Sequence, residues 1–464
     1  MLTAMEQSAR GTCAGAPAGP AGAVVPEATS SVVPGASPGA AASAAPRTGA
    51  SVDVPVLPDY GGACLSQVVP AILERRGQST RPGGGATRAH ATGGRSWLPD
   101  VVEDAAQVVL LVVDGLGWEQ LADHRAEAPT IASMAGGPIT SVVPTTTATA
   151  LTSLTTGLAP GSHGVVGYRV AVAVAGAGPA TGPGGEGRGD SAAVDARGSD
   201  GAARGRFQVL NVLKWTTGAG DARALVPPSS FQPHPAFLGR CCPVVSRVEF
   251  AGTGFSDAHL AGSPLAGWRV ASSLAVEVRR LLAAGEPFVY AYYDGVDKVA
   301  HEKGLGEHYA AELRYADRLV GDLLEALVPG AVLVVTADHG QVEVRRPPVA
   351  LDPGILADVH LLSGEGRFRW LHVAPGATDR VRARCEERYG DLAWVRTREE
   401  LVEQRWFGPA LAPGVAERLG DVALVSRQAV AFFDPADTGE MHLVSRHGSL
   451  TSAEMYVPLV AASR

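Results

Sequence analysis

Aspartate and histidine residues occur in this sequence at spacings that suit metal coordination. Asp297 and His301 are spaced i, i+4, and Asp338 is followed directly by His339. His447 lies in a later loop, next to a glycine. Mixed sets of carboxylates and imidazoles bind Zn²⁺ or similar transition metals, whereas Ca²⁺ and Mg²⁺ sites are built from oxygen ligands. These residues predict a transition-metal site.

Three apolar runs typical of buried strands each lead to an aspartate. The runs and their aspartates are Val108–Val113 with Asp114, Phe288–Tyr293 with Asp297, and Val332–Val335 with Asp338. The first run is apolar on both faces, as expected of a central parallel strand. Because the carboxyl ends of parallel strands meet at one edge of an open α/β sheet, where ligands bind, we expect these side chains to lie together. Taken alone, Asp114 fits an Asx turn or a helix cap equally well.

A threonine-rich segment, Ser141–Gly157, offers hydroxyl groups near a predicted helix start. It holds seven threonines and two serines. Pro144 can open a helix and Gly157 can end it. A threonine in the first turn has its hydroxyl near unpaired backbone N–H groups and the positive end of the helix dipole, which suits an anionic substrate. The same pattern also fits a Thr-rich helix cap without a chemical role.

Strands alternate with helices along most of the chain. This alternation predicts an α/β fold with a mostly parallel central sheet sandwiched by helices. Helices are predicted at Leu65–Leu73, Ala271–Ala283 and Glu307–Leu327, with further strands at Val244–Phe250 and Val457–Ala461.

The pattern changes between Asp338-His339 and His447. Residues 342–441 are interpreted as a small inserted α+β cap subdomain. Its predicted strands are Phe368–Val373, Leu392–Val395 and Val422–Phe433, and its predicted helices are Thr378–Tyr389 and Arg398–Gln404.

The remaining segments divide the chain further. Residues 1–53 are rich in Ala, Gly, Pro and Ser and are predicted to be a disordered low-complexity tail, because they cannot bury enough apolar surface to offset chain entropy. Residues 54–341 and 442–464 form the predicted catalytic core. Residues 171–206 are predicted to be a flexible insertion within it, and residues 78–94 a polar loop.

Composition restricts the partners and the location. The formal net charge of -8 argues against a nucleic-acid polymer as partner. Apolar runs are too short for a membrane span, and the N-terminus does not read as a secretory signal. The five cysteines show neither a disulfide framework nor a zinc-finger spacing, which favours a reducing compartment. We therefore expect a cytoplasmic protein.

Taken together, these motifs resemble the alkaline phosphatase superfamily. More narrowly, they are similar to those of the nucleotide pyrophosphatase/phosphodiesterase family. The resemblance runs from about residue 54 to the C-terminus, with the motifs in the family's order. They are Asp114, Pro144–Thr147, Asp297-x-x-x-His301, Asp338-His339-Gly340 and His447-Gly448.

The resemblance implies a phosphoesterase with two zinc ions and a threonine nucleophile. By position, the nucleophile is Thr147. One metal would be bound by Asp297, His301 and His447. The other would be bound by Asp114, Asp338 and His339, with Thr147 bridging. The implied reaction passes through a covalent phospho-threonine, and the implied substrate is a small phosphate ester or a nucleotide.

One departure from the family concerns substrate binding. Eukaryotic-type members follow the nucleophile with Phe-Pro-Asn, whose Asn helps to hold the phosphoryl oxygen. This chain has Ala148, Thr149 and Ala150 there. That contact is expected either to be missing or to come from another group, such as Thr149 or a backbone N–H group.

Several alternatives stay open. The metal core alone does not distinguish a phosphodiesterase from a phosphomonoesterase or a phosphonate hydrolase. Cofactor-independent phosphoglycerate mutase shares the core motifs but uses a serine nucleophile, and a sulfatase motif is absent after Pro144. A non-catalytic, metal-binding pseudoenzyme is the alternative outside the enzyme class.

Overall fold

The computed structural model describes residues 54–75, 97–173, 207–437, 439 and 442–464. The predicted tail at residues 1–53 and the polar loop at residues 78–94 lie outside these ranges. So does most of the insertion predicted at residues 171–206.

Strands and helices alternate along the described chain. The strands are β1 (Gln107–Val113), β2 (Ala135–Thr140), β3 (Arg169–Ala173), β4 (Phe207–Asn211), β5 (Thr216–Thr217), β6 (Gly220–Asp221), β7 (Val244–Arg247), β8 (Leu265–Trp268), β9 (Phe288–Tyr293), β10 (Ala331–Thr336), β11 (Val342–Glu343), β12 (Val359–Glu365), β13 (Phe368–Val373), β14 (Ala393–Thr397), β15 (Val422–Ser426), β16 (Ser445–Arg446) and β17 (Tyr456–Ser463). The helices are α1 (Leu65–Leu73), α2 (Asp100–Glu103), α3 (Trp118–Asp123), α4 (Pro129–Ser133), α5 (Thr147–Thr156), α6 (Pro160–His163), α7 (Pro228–Phe231), α8 (Gly254–His259), α9 (Ser272–Ala283), α10 (Gly295–Lys303), α11 (Glu307–Ala326), α12 (Pro353–Leu356), α13 (Thr378–Tyr389), α14 (Arg398–Glu403) and α15 (Ser452–Met455).

The central sheet has seven strands in the order β2-β17-β10-β1-β9-β7-β8. Strand β1 lies in the middle and pairs in parallel with β10 and β9. Strand β17 runs antiparallel to both of its neighbours. Every residue of β1 after Gln107 is buried, as its run of Val and Leu predicts for a strand covered on both faces. The predicted mostly parallel sheet flanked by helices is confirmed.

Some predicted boundaries were wrong. Strand β7 ends at Arg247, its last residue paired with β8, and a 3₁₀ helix at Val248–Phe250 replaces the rest of the predicted strand. Strand β15 likewise ends at Ser426, where its pairing with β14 ends. Strand β3 continues to Ala173, because its residues pair with β4 across the gap in the described chain. Apolar composition alone does not show where pairing partners end.

The segment of chain between β11 and β16 forms a second sheet, which is antiparallel. Its strand order is β12-β13-β15-β14, and helix α13 packs on β14. Alternate residues of β13 face opposite sides. Phe368 and Trp370 join the main hydrophobic core, whereas Leu371 and Val373 join a smaller cluster with α13. We use the name cap for residues 342–441, of which 342–437 and 439 are described.

A buried ion pair connects the cap to the core. Arg367, in the β12–β13 hairpin, donates from Nε and Nη2 to the two carboxylate oxygens of Glu454, each at 2.7 Å. Both side chains are fully buried. Glu454 also accepts hydrogen bonds from the Ser449 backbone and the Thr451 hydroxyl. The pair therefore fixes the hairpin against the loop that follows His447.

Two further observations concern location. Among the described helices, none combines the length and the apolar character that crossing a membrane requires. Cys64, Cys242 and Cys385 carry free, buried thiols. The expected reducing compartment stays a prediction.

We expect Arg367→Met to lower the free energy of unfolding by about 3–5 kcal/mol, because it leaves the Glu454 carboxylate buried and unpaired. Urea denaturation followed by circular dichroism measures this change. Arg380→Met is the matched control, since Arg380 pairs with Asp358 at the surface, and it should cost less than about 1 kcal/mol. The double variant Arg367→Met/Glu454→Leu should be more stable than Arg367→Met. Equal losses in the two single variants would contradict the prediction.

Candidate active site

The predicted site residues converge at one edge of the central sheet. Asp114 follows β1 directly, and Asp338 and His339 follow β10 by two and three residues. Asp297 lies in the first turn of α10, after β9. Parallel pairing of β1 with β9 and β10 aligns the ends of the three strands. Strand β16 brings His447 to the same place.

The first group of possible metal ligands contains Asp297, His301 and His447. Asp297 Oδ1 lies 3.3 Å from His301 Nε2 and 3.9 Å from His447 Nε2. The two imidazole Nε2 atoms are 3.2 Å apart. These three side chains thus direct one ligand atom each towards a common point.

The second group contains Asp114, Asp297 and His339. His339 Nε2 lies 3.5 Å from Asp114 Oδ1 and 3.3 Å from Asp338 Oδ2. The Thr147 hydroxyl oxygen is 3.1 Å from the same imidazole nitrogen. Asp297 therefore belongs to both groups, and Asp338 and Thr147 border the second one.

The hydrogen bonds of the three histidines define which nitrogen faces the cluster. Nδ1 of His301 contacts the Ser445 carbonyl, and Nδ1 of His447 contacts the Thr145 carbonyl. Nδ1 of His339 contacts the carbonyl of Gly340. A carbonyl oxygen only accepts, so Nδ1 is the donor in each of these contacts and Nε2 is the ring nitrogen that faces the cluster. Two such nitrogen atoms at 3.2 Å are suited to an intervening cation.

The charges in the cluster also indicate a cation site. Asp114 Oδ1 and Asp338 Oδ2 are buried, and no hydrogen-bond partner reaches them among the described residues. Burial and the neighbouring Asp338 and Asp297 raise the pKa of Asp114 well above its usual value. Burial and the neighbouring His339 and His301 lower the pKa of His447 well below its usual value. Buried acceptors of this kind require positive charge, so the residues present fit divalent metal ions.

Three supporting residues were not predicted. Tyr292 donates its hydroxyl proton to Asp114 Oδ2. Gln341 donates from Nε2 to Asp297 Oδ1 at 2.6 Å. The Thr145 hydroxyl donates to the Ser449 carbonyl and accepts from the Gly448 N–H. Thr145 thus holds the loop next to His447.

Thr147 is the first residue of α5, with Thr146 at the N-cap. The Thr146 side chain makes no capping hydrogen bond, so the predicted capping role is not observed there. Gly157 ends the helix in a left-handed conformation, with φ of 75°, as predicted. The N–H groups of the first turn are therefore not occupied by a capping side chain, and they lie beside the Thr147 hydroxyl.

A cavity of about 370 Å³ adjoins Thr147. Asp114, Asp297 and Lys298 line it near the cluster. Its apolar and aromatic lining includes Leu151, Leu213, Phe250, Phe255, Leu260 and Tyr292. Neither Thr149 nor Ala150 lines the cavity, and both are fully buried. The Thr149 hydroxyl is buried without a hydrogen-bond partner in the described structure, and the substitute for the family's Asn stays a prediction.

The comparisons with known proteins agree with this geometry. The sequence profile of the family described as type I phosphodiesterase / nucleotide pyrophosphatase matches residues 108–179 and 253–450, more than half of the chain. The chain belongs to this family. It is a hydrolase of phosphoric ester or pyrophosphate bonds, and its family is metal-dependent. None of the curated proteins matches the sequence.

Solved structures share the fold. Murine ectonucleotide pyrophosphatase/phosphodiesterase 5 gives a TM-score of 0.51 at 15% identity, over 77% of this chain and 88% of that one. An inactive threonine-to-alanine variant of the same murine protein, in complex with AMP, gives 0.52 at 15% identity, with 77% and 88% covered. Phosphonoacetate hydrolase from Sinorhizobium meliloti 1021, in complex with phosphonoformate, gives 0.50 at 18% identity, with 77% and 90% covered.

We expect Asp297→Asn to weaken zinc binding by both groups, because Asp297 belongs to each. His301→Ala should weaken binding by the first group only. Isothermal titration of chelator-stripped protein with Zn²⁺ measures the number of ions bound and their affinities. His360→Ala, in strand β12 of the cap, is the control and should bind zinc as the wild type does. Unchanged zinc binding by Asp297→Asn would contradict the shared role.

Proposed function

We propose that this protein hydrolyses phosphodiester or pyrophosphate bonds through a covalent phospho-Thr147 intermediate at a site for two divalent metals, with Zn²⁺ as the favoured ion. The observation that carries the proposal is the position of the Thr147 hydroxyl. It lies at the start of α5, 3.1 Å from His339 Nε2, and borders both the ligand cluster and the cavity.

The proposed ligand sets follow the family resemblance. Asp297, His301 and His447 would hold one ion. Asp114, Asp338 and His339 would hold the other, next to Thr147. The structure also places a ligand atom of Asp297 within 4.8 Å of those of Asp114 and His339, so Asp297 would contribute to both sites. Bound ions of this kind lower the effective pKa of a hydroxyl group and neutralise the attacking and leaving oxygens. The mixed carboxylate and imidazole donors favour Zn²⁺ over Mg²⁺ or Ca²⁺.

The residues of the chain then have separate roles in the reaction. The Thr147 hydroxyl gives its proton to solvent and its oxygen attacks phosphorus. The new oxygen–phosphorus bond forms as the bond from phosphorus to the leaving oxygen breaks, and the leaving oxygen keeps the electron pair. The N–H groups of the first turn of α5 donate to the phosphoryl oxygens, where the helix dipole is positive. Water then attacks phosphorus, the bond from phosphorus to the Thr147 oxygen breaks, and one water proton returns to that oxygen while the other goes to solvent. The leaving group occupies the cavity lined by Phe250, Phe255 and Tyr292.

The comparisons support this assignment and one alternative. A related murine protein is inactive when a threonine is replaced by alanine and was solved with AMP, which supports a threonine nucleophile and a nucleotide substrate. The likeness to phosphonoacetate hydrolase, together with Ala150 in place of the family's Asn, supports a phosphonate as the second candidate substrate. A phosphomonoester is the third.

Thr147→Ala should lower kcat for bis(p-nitrophenyl) phosphate by about 10³-fold or more, because the nucleophile is lost. Thr147→Ser keeps a hydroxyl and should retain more activity than the alanine variant. The matched control is Thr155→Ala, on the same helix, whose hydroxyl bonds only to backbone carbonyls in the described structure. Undiminished hydrolysis by Thr147→Ala would rule out this nucleophile.

The same assay tests the non-catalytic alternative. If the zinc-loaded wild-type protein hydrolysed no diester, monoester, nucleotide or phosphonate, that result would favour a metal-binding pseudoenzyme.

Lys298 is expected to select substrates with a charged leaving group. It lines the cavity and forms an ion pair with the buried carboxylate of Asp294, which also has Arg247 Nη1 at 3.6 Å. Arg247 also pairs with Glu249, so Lys298 is the one Lys or Arg side chain in the described lining that is placed to contact an anionic leaving group. Lys298→Met should raise KM for ATP about fivefold, since an exposed ion pair contributes roughly 1 kcal/mol. KM for bis(p-nitrophenyl) phosphate should change less.

Steady-state kinetics with both substrates test this role, and Lys303→Met is the control. Lys303 lies at the end of the same helix and pairs with exposed Glu302. Equal changes of KM for the two substrates in Lys298→Met would contradict the selective role.

A further inference from the structure

Asp297 controls the geometry of the whole ligand cluster, because it belongs to both groups of possible ligands. Its Oδ1 atom is the one that lies 3.3 Å from His301 Nε2. A rotation of this carboxylate would change both groups at once. A contact that holds the Asp297 carboxylate in one orientation therefore also holds the two groups of ligand atoms in place relative to each other.

Gln341 makes the contact that fixes it. The Gln341 side-chain amide donates to Asp297 Oδ1 at 2.6 Å. A carboxylate oxygen has two lone pairs, so Oδ1 can accept this hydrogen bond and still face a cation. A neutral amide adds no charge that would compete with a metal ion. Gln341 also follows Asp338-His339-Gly340 directly, so one short segment supplies two candidate ligands and the support of a third.

Burial and two contacts restrict Gln341. It is 1% exposed, and its backbone carbonyl accepts a hydrogen bond from Gln120 Nε2 at 2.7 Å. Its side-chain Oε1 is buried and has no hydrogen-bond partner in the described structure. Gly115 allows the close approach of Gln341 to Asp297. A Cβ atom at Gly115 would lie 2.9 Å from Gln341 Nε2 and 3.0 Å from Asp297 Cα, and its φ of +75° also favours glycine. The amide thus has little freedom to leave Asp297.

We propose that Gln341 is a positioning residue for metal binding, acting through the carboxylate of Asp297 and supported by Gln120. Gln341 does not itself line the cavity in the described structure, and it reaches the cavity only through Asp297. This inference rests on the proposed two-metal function. Partners of metal ligands in this position commonly change metal affinity 10- to 100-fold, so the effect is measurable without hydrolysis.

Two variants test the proposal. Gln341→Asn shortens the side chain by one methylene, so its amide no longer reaches Asp297, and Gln341→Met removes the donor at similar length. We expect Zn²⁺ affinity, measured by competition with a chromogenic chelator, to fall about 10- to 100-fold in each. Hydrolysis should be lost at limiting zinc and recovered at excess zinc, which a general loss of structure would not allow. Circular dichroism identifies any variant that fails to fold.

Gln107→Asn is the matched control. Gln107 begins β1, at the opposite end of the strand from Asp114, and its amide donates to the carbonyls of Leu282 and Glu286. Its zinc affinity should equal that of the wild type. A folded Gln341→Asn variant with wild-type zinc affinity would overturn the role of Gln341. A wild-type protein that binds no zinc would overturn the proposed function as well.

Discussion

Buried negative charge is the constraint on which the rest of this site depends. Asp114 and Asp338 each bury a carboxylate oxygen that no hydrogen-bond donor reaches in the described structure. Removing an ionised carboxylate from water costs several kcal/mol unless positive charge or donors replace the water. The protein places imidazoles beside these carboxylates rather than Lys or Arg. The cluster is thus incomplete electrostatically until cations occupy it, and its supporting contacts keep the ligand atoms apart and directed inward.

The sheet places these charges, and smaller contacts orient them. Parallel pairing aligns the carboxyl ends of β9, β1 and β10, which brings Asp297, Asp114 and Asp338 to one edge. Each carboxylate or imidazole then receives its own contact, such as the Tyr292 hydroxyl on Asp114 or the Thr145 carbonyl on His447. Position therefore follows from topology, whereas orientation follows from hydrogen bonds between segments distant in sequence.

This difference between position and orientation explains which features could be predicted from the sequence and which could not. The central strands were predictable because a run such as Val108–Val113 is apolar on both faces. The convergence of the aspartates followed from the general geometry of parallel sheets. Tyr292 and Gln341 were missed because a tyrosine in an apolar strand and a glutamine after a glycine have no distinctive pattern. Their partners lie 178 and 44 residues away. The end of β7 was also missed, because it depends on where its partner strand ends.

The contact between the cap and the core limits how the two parts could be exchanged among relatives. Arg367 reaches across to Glu454, and Glu454 in turn holds the backbone of Ser449, two residues after His447. The cap is therefore not an independent module attached to a finished active site. A chimera that carried the cap of another family member without an equivalent of Arg367 would leave an unpaired carboxylate beside the loop of a candidate ligand. Exchange of the cap thus requires the hairpin and the C-terminal segment to change together.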